Sequence, residues 1–287
     1  MSFNLPILSA ISSYFIWGIM PIFWRELNGT NPFEIVAHRV LWSLLLLSGF
    51  MWREMYKGTQ TKISKQEILL TFASGIFLAI NWSIFVYAIP RGYTLASSLG
   101  YFMSPLCMLA AGAIFFSEKL KREQKIALVF LVASLLPLLI GSDLMTFLIA
   151  TGLALSWMCY SSFRRNSALS SLSSLWLETT IMAPIAIAVL VYQYSVPENL
   201  SKFQNHWWLL VFTGPLTLIP LLLYGVAVKT VSFSTLGVLH YMVPFLQLFC
   251  AAVLFKESIS GSKMLTLVLI LIAIGIVIRP HLRKQKS

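Results

Sequence analysis

Charge is what this chain most lacks. Asp, Glu, Lys and Arg make up 11% of its 287 residues, against 58% hydrophobic, where a soluble domain carries roughly a quarter charged residues. With a mean hydropathy of +0.81, most of the chain must be solvated by lipid and not by water. Acidic residues are the scarcer sign, ten against 21 basic, for a net charge of +11. That surplus does not predict nucleic acid, because the basic residues sit in short clusters between apolar runs, the pattern of topology signals and anionic lipid head groups. Cysteine is scarce too. Cys107, Cys159 and Cys250 all lie inside apolar runs without CxxC spacing or a histidine nearby, so they read as packing residues and exclude a disulfide framework or a zinc site. No Gly-rich nucleotide loop, Ser/His/Asp order or metal-ligand motif is present, so neither an enzyme nor a bound cofactor or metal is expected. The expected partners are a small-molecule solute and the bilayer, with no nucleic acid, and a monomer or a homodimer is open.

What is there is a series of long apolar runs. A helix crossing the hydrocarbon core needs about 20 mostly apolar residues, and the sequence offers ten: 5–24, 32–52, 67–89, 94–116, 125–142, 144–163, 171–193, 207–227, 233–255 and 264–281. The first has no basic leader or cleavage site and reads as a retained helix. The fifth and sixth are separated by little more than Gly141-Ser142-Asp143. With the N-terminus inside, fifteen Lys and Arg fall in inner segments and five in outer ones, with Arg39 inside a span. The positive-inside bias therefore predicts an even count with both termini cytoplasmic.

Self-comparison adds a repeat. A shift of 139 residues lays the third and fourth runs on the eighth and ninth, pairing Gly75 with Gly214, Ile80 with Ile219, Met103 with Met242, Pro105 with Pro244, Phe116 with Phe255 and Glu118 with Glu257. A shift of 140 pairs Trp17 with Trp157 and Arg25 with Arg165, and 144 pairs Glu34 with Glu178. Five spans separate the copies, an odd number, so they face opposite ways. The expected fold class is an all-α integral membrane protein of two inverted five-helix repeats, residues 1–142 and 143–287, the second ending in a basic cytoplasmic tail. Inverted repeats are the mark of alternating-access transporters with a midplane site.

Ionisable groups within a span are functional hypotheses by default. Glu34, His38 and Arg39 share the second run, and Arg39 lies roughly seven residues, about 10 Å at helical rise, from its outer end. They read as an anion-binding or gating cluster, or as an intrahelical pair with Arg39 snorkelling outward. Glu178 stands in LWLETTIMAP as a proton carrier, an amine ligand, a partner of Arg39 or His240, or a static contact between helices. His240 and Tyr241 match Tyr101 and Phe102 under the repeat, which suggests a shared cavity, or else plain aromatic packing. Tyr14, Trp17, Asn81 and Trp82 are candidates for the same lining. Glu34, His38, Glu178 and His240 are the candidates for proton coupling. Pro105 and Pro244, at equivalent points of the two copies, are the candidate hinges.

These residues carry a family resemblance. SYFIWGIMPIFWR (13–25), EIVAHRVLWS (34–43), NWSIFVYAI (81–89), ASSLGYFMSPL (96–106), FFSEKLKREQ (115–124), LET (177–179) and STLGVLHYMVPFLQLFCAAVLFKE (234–257) resemble the EamA family of the drug/metabolite transporter superfamily, and within it the RarD-type permeases. The resemblance covers nearly the whole chain. It implies two five-helix halves in a bacterial inner membrane and export of amino acids, other metabolites or drug-like solutes, with Glu118 and Glu257 as helix-end structural or gating residues. A lipid-linked flippase or a non-transporting membrane subunit is the alternative.

Overall fold

A computed structural model describes residues 5–56, 64–88, 91, 93–139, 143–254 and 256, with isolated positions between 261 and 276. Among these the chain is all-helical. Eight helices are long and apolar enough to cross a membrane: Leu5–Glu26, Pro32–Arg53, Lys65–Ala88, Ala96–Phe115, Leu144–Asn166, Ser171–Tyr194, Trp207–Val228 and Phe233–Leu254. The fifth expected run forms helix α6, Arg122–Leu139, but Arg122, Glu123 and Lys125 in its first turn leave too short an uncharged stretch to count with the eight. The tenth expected run is described only at isolated helical positions, and the boundary at residue 142, Glu257 and the basic tail lie outside the described residues.

Prolines set where the helices start and break. The first span divides into α1, Leu5–Ile19, and α2, Pro21–Glu26, because Pro21 has no N–H to continue the ladder and is comfortable only in a first turn. Helix α3, Pro32–Tyr56, also begins on a proline, and the Asn31 side chain accepts the Phe33 N–H at 2.9 Å. Helices α4, Lys65–Ala88, and α5, Thr94–Phe115, follow, with Pro105 inside α5. Helix α7, Leu144–Asn166, is capped by Asp143, which accepts the Thr146 N–H at 2.6 Å. That bond holds the Asp143 carboxyl below its ordinary range. Ser170 and Ser232 cap α8, Ser171–Tyr194, and α10, Phe233–His240, by the same geometry, each satisfying one orphan N–H of a first turn. Helix α9 runs Pro197–Val228. The ninth span is not one rod. It breaks at Tyr241 into α10 and α11, Met242–Phe249, then closes in a π-helical turn, Cys250–Leu254. Pro244 has no N–H to give the His240 carbonyl, so the ladder lapses at that turn.

The helices pair mainly across the two sequence halves. Helix α1 lies on α9 and α7 on α4; α1 on α11 and α7 on α5; α3 on α9 and α8 on α4; α3 also meets α8, and α5 meets α10. Exchanging first-half helices for the second-half helices five spans on leaves this set unchanged. Three details follow the same exchange. Ser117 and Lys256, 139 residues apart, are the two non-glycine residues with left-handed backbone among the described ones, at φ 51° and 55°. The Tyr241 hydroxyl donates to the carbonyl of Phe102, its own repeat equivalent, at 3.0 Å. Trp17 and Trp157 meet edge to face with ring centres 5.3 Å apart.

Close crossings depend on absent side chains, as expected where lipid is as apolar as the helix interface. A Cβ on Gly237 would meet the Pro105 carbonyl of α5 at 2.7 Å, and one on Gly214 would meet Trp42 at 2.5 Å. The interior holds Tyr14, Tyr160, Tyr224, Phe233 and Leu78, all fully buried, and a second cluster about Leu99, Phe102, Val238 and Tyr241. Outward the bundle shows Leu45, Phe50, Leu69, Phe72, Ile185 and Val191, an apolar girdle no water-soluble monomer exposes and a bilayer covers.

Candidate functional site

A cavity of about 1410 Å³ enters the bundle from the end that carries the α2–α3, α4–α5 and α8–α9 connections, with Asn28, Arg91 and Gln193 at its mouth and Trp17, Trp157 and His240 among its deeper lining. Helix α3 sets its charge. Arg39 donates from Nε to the Thr217 hydroxyl of α9 at 2.8 Å. Its guanidinium lies 4.5 Å from the Trp82 ring centre and 5.3 Å from that of Trp24, so two indole faces and one hydroxyl hold it. Glu34, one turn nearer the mouth, accepts the Tyr194 hydroxyl at 2.7 Å and the Gln193 amide at 3.4 Å. Asn81 donates to the Leu153 carbonyl and the Ser156 hydroxyl, both at 2.9 Å, which ties α4 to α7.

The expected site residues divide into two groups. Trp17, Glu34, Arg39, Asn81, Trp82, Tyr101 and His240 line the cavity. Tyr14, His38, Glu178 and Tyr241 do not. Tyr14 is fully buried and stacks on His240, ring centres 4.9 Å apart and planes 12° from parallel. His38 is turned to Tyr194 at 2.8 Å and to the Trp42 indole N–H at 3.1 Å. Tyr241 spends its hydroxyl on Phe102. Of the hinge candidates, Pro105 sits within a continuous α5, whereas Pro244 lies three residues beyond the break.

Beneath the cavity floor lies an aromatic layer. Tyr14 and Trp157 each pack on Trp17, Tyr224 and His240, and the Tyr224 hydroxyl bonds Ser161 at 2.6 Å. Deeper still is a buried ion pair. Glu178 has Arg164 Nη1 at 3.6 Å, with both side chains inaccessible, and accepts the Ser74 hydroxyl at 2.6 Å. Arg164 Nη2 reaches the Ser171 hydroxyl at 3.1 Å. Arg164 Nε, the second Glu178 oxygen and the Tyr160 hydroxyl have no hydrogen-bond partner among the described residues, a high-stakes arrangement for groups removed from water. Glu178 therefore meets Arg164, and neither Arg39 nor His240.

The far end is tied by polar contacts between the sequence halves. Glu118, just past α5, accepts the Phe233 N–H at 2.8 Å, the Ser234 N–H at 3.0 Å and the Ser234 hydroxyl at 2.9 Å, and it pairs with Arg165 at 3.3 Å. A carboxylate is thus set on the open N–H groups of α10, where the helix dipole favours it. Gly112 makes room, since a Cβ there would meet the same carboxylate at 2.7 Å. Glu67 accepts the Ser167 hydroxyl at 2.5 Å and the Ala168 N–H at 2.9 Å. Within the second half, Lys229 donates to the Leu169 carbonyl. Burial, and then the nearby Arg164 charge, lower the Lys229 ammonium pKa against the pull of Glu67.

Arg164, Glu67, Thr217 and Tyr194 escaped the sequence reading. Trp157 and Arg165 were within reach as the repeat partners of Trp17 and Arg25. Arg164 and Glu67 stand at helix ends among loop charges and carry no such mark.

Comparison with known proteins places these features in a wider group. The chain matches the EamA-like transporter family twice, over residues 4–140 and 141–279. It is 30% identical to the RarD protein of Salmonella typhi over 98% of this chain and 97% of that one. It is 31% identical to an uncharacterized transporter of Vibrio cholerae, over 91% and 87%. The uncharacterized transporter YojE of Bacillus subtilis is 30% identical over 88% and 87%. A solved crystal structure superposes with a TM-score of 0.70 at 16% identity, over 94% of this chain and 96% of that one, a likeness of fold.

Proposed function

The chain belongs to the EamA-like transporter family, a multi-pass membrane transporter, and from that premise we propose that it is a secondary-active permease that carries small metabolites, amino acids or drug-like solutes out of the cell by alternating access. The reading has ten spans in two inverted five-helix halves, 1–142 and 143–287, in a bacterial inner membrane with both termini cytoplasmic. On that orientation the cavity faces outward, and the end held by Glu118, Glu67 and Lys229 faces the cytoplasm.

One observation carries the proposal: a deep cavity is open at one end while the other end is tied by contacts that join the halves in pairs. Because helix pairing is unchanged when the halves exchange roles, the inward-open shape is available by the same contacts swapped between copies. Trp17, Arg39, Asn81, Trp82, Tyr101 and His240 would meet solute. Tyr14, His38 and Tyr241 would stand behind that wall and position it. The break at Tyr241 with Pro244, and Pro105 opposite it in α5, supply the bending elements. Glu178 is the favoured proton carrier, since any proton reaching Oε2 changes its hold on Arg164; Glu34, His38 and His240 are the other candidates.

The test is flux. Reconstituted in liposomes, with and without a pH gradient, the chain should move at least one labelled compound from an amino-acid and drug panel. Glu178→Gln and Arg39→Ala should each cut that flux by about tenfold or more, as for groups kept in a bilayer at high cost. Equal flux in protein-free vesicles for every compound would overturn the transport reading, and near-normal flux in both variants would overturn these site roles.

A further inference from the structure

The cavity is not neutral. Three arginines line it, Arg25, Arg39 and Arg91, against a single carboxylate, Glu34. Glu34 stands near the mouth with its oxygens accepting from Tyr194 and Gln193. Arg91 lies over the Tyr87 ring at 4.0 Å and donates to the Tyr87 carbonyl. Arg39 is different. It stands deep, half-buried, and commits only Nε, to Thr217. No carboxylate of the described residues lies within ion-pair distance of it, and its terminal amino groups have no hydrogen-bond partner among them. A half-buried guanidinium with no carboxylate beside it turns its unbonded amino groups to whatever enters the cavity, and a charged acceptor there makes the stronger bond. The two indoles at 4.5 and 5.3 Å fix the plane of the fork, which pre-organises it for a planar two-oxygen acceptor.

We propose that the cavity selects organic monocarboxylates: solutes with one carboxylate set on Arg39, a flat apolar body along the aromatic wall, and no amine. This rests on the cavity being the solute site, and it narrows the solute. One carboxylate is the match for the deep position, because Arg39 alone of the lining arginines combines depth with two unbonded terminal amino groups held in a fixed plane, a fork for two oxygens of one planar group. The missing amine follows from the count of lining charges. An ammonium group would need an acidic partner, and the cavity's one carboxylate is at the mouth and already bonded. The body is set by Trp82, Phe85 and Trp157, which offer ring faces and edges. Positive lining also draws anions to the mouth before they bind.

The experiment uses the full chain in nanodiscs, titrated by calorimetry with four probes of one shape: 3-phenylpropanoate, its neutral amide, L-phenylalanine and phenyl phosphate. The carboxylate should bind about tenfold or more tightly than the amide and the other two, as a charge-assisted bidentate pair requires, and the preference should weaken with added salt. Arg39→Gln should bring carboxylate and amide within about twofold of each other, with Arg39→Lys intermediate. If Arg39→Gln does not fold, the ratio in the unaltered chain and its salt dependence decide. Equal binding of the amide, tighter binding of phenylalanine or of the phosphate, or a preference that survives Arg39→Gln overturns the proposal. So does binding of none of the four. In that last case, flux of some other compound in liposomes leaves the cavity as the solute site, and absence of flux as well removes both readings.

Discussion

Replacing Glu118 with Gln should loosen the tied end and nothing else. The carboxylate accepts three hydrogen bonds from the start of α10 and faces Arg165 at 3.3 Å. Glutamine keeps one oxygen for Phe233 but turns an amino group toward the Ser234 N–H, a donor facing a donor. Bonds to a carboxylate exceed neutral ones by about 1 kcal/mol each. The pair with Arg165 adds little, because both side chains keep some exposure, 12% and 21%, and such pairs are weak. The loss is about 2 kcal/mol, which moves an equilibrium by roughly thirtyfold. If the far end must part for transport, that factor appears in the population of the parted state. Ser174, 1% exposed and without a hydroxyl partner among the described residues, is the place for a reporter. In a Ser174→Cys chain, alkylation by N-ethylmaleimide should be about thirtyfold faster with Glu118→Gln than without it. Native Cys250, 2% exposed beyond α11, should keep its rate. An unchanged rate at position 174, or an equal rise at Cys250, would refute the reasoning, the second because the bundle would be unfolding and not opening.

Two further substitutions probe the buried polar layer. Glu178→Gln leaves the Arg164 guanidinium buried and unpaired and should cost about 3–5 kcal/mol of stability in detergent melts; adding Arg164→Met should recover a good part of it, since replacing both partners is far milder than removing one. Strictly additive costs would show that the pair is not coupled. Gly225→Ala drives a Cβ into the Ser171 hydroxyl and Arg164 Nη2, whereas a Cβ at Gly75 stays 3.5 Å from Glu178 Cα. The first should therefore lose about 2 kcal/mol or more and the second less than about 1 kcal/mol, and the reverse order in melting would contradict the packing described.

Hydropathy made eight of the ten expected runs legible, because span length is fixed by bilayer thickness and leaves a composition anyone can count. What it missed is local. Arg164 and Arg165 read as one pair of loop charges, yet the first turns inward to Glu178 and the second faces Glu118, a difference of 100° about the helix that no charge count contains. Arg39, Asn81, Trp82 and His240 stood out because polar and large aromatic groups within a span are costly or unusual, and all four line the cavity. Tyr14, His38 and Tyr241 stood out equally and sit behind it, since a period of 3.6 residues says which neighbours share a face but not which face meets space. Glu178 fell among the cavity candidates for want of a visible cation. Its partner lies 14 residues back across a helix turn, where only the fold brings them together.

The pairing of helices across the halves also bears on how such a chain is made. Residues of the first half leave the ribosome first, yet α1, α3, α4 and α5 find their main neighbours among α7 to α11, and they make few contacts with one another. The early helices would then sit in the bilayer as separate rods, Arg39 and Glu34 among them, until the second half is inserted and closes over them. Assembly is thus the last event of biosynthesis, and a gene cut between the halves should yield two fragments that are each unstable alone and restore a folded protein only when expressed together.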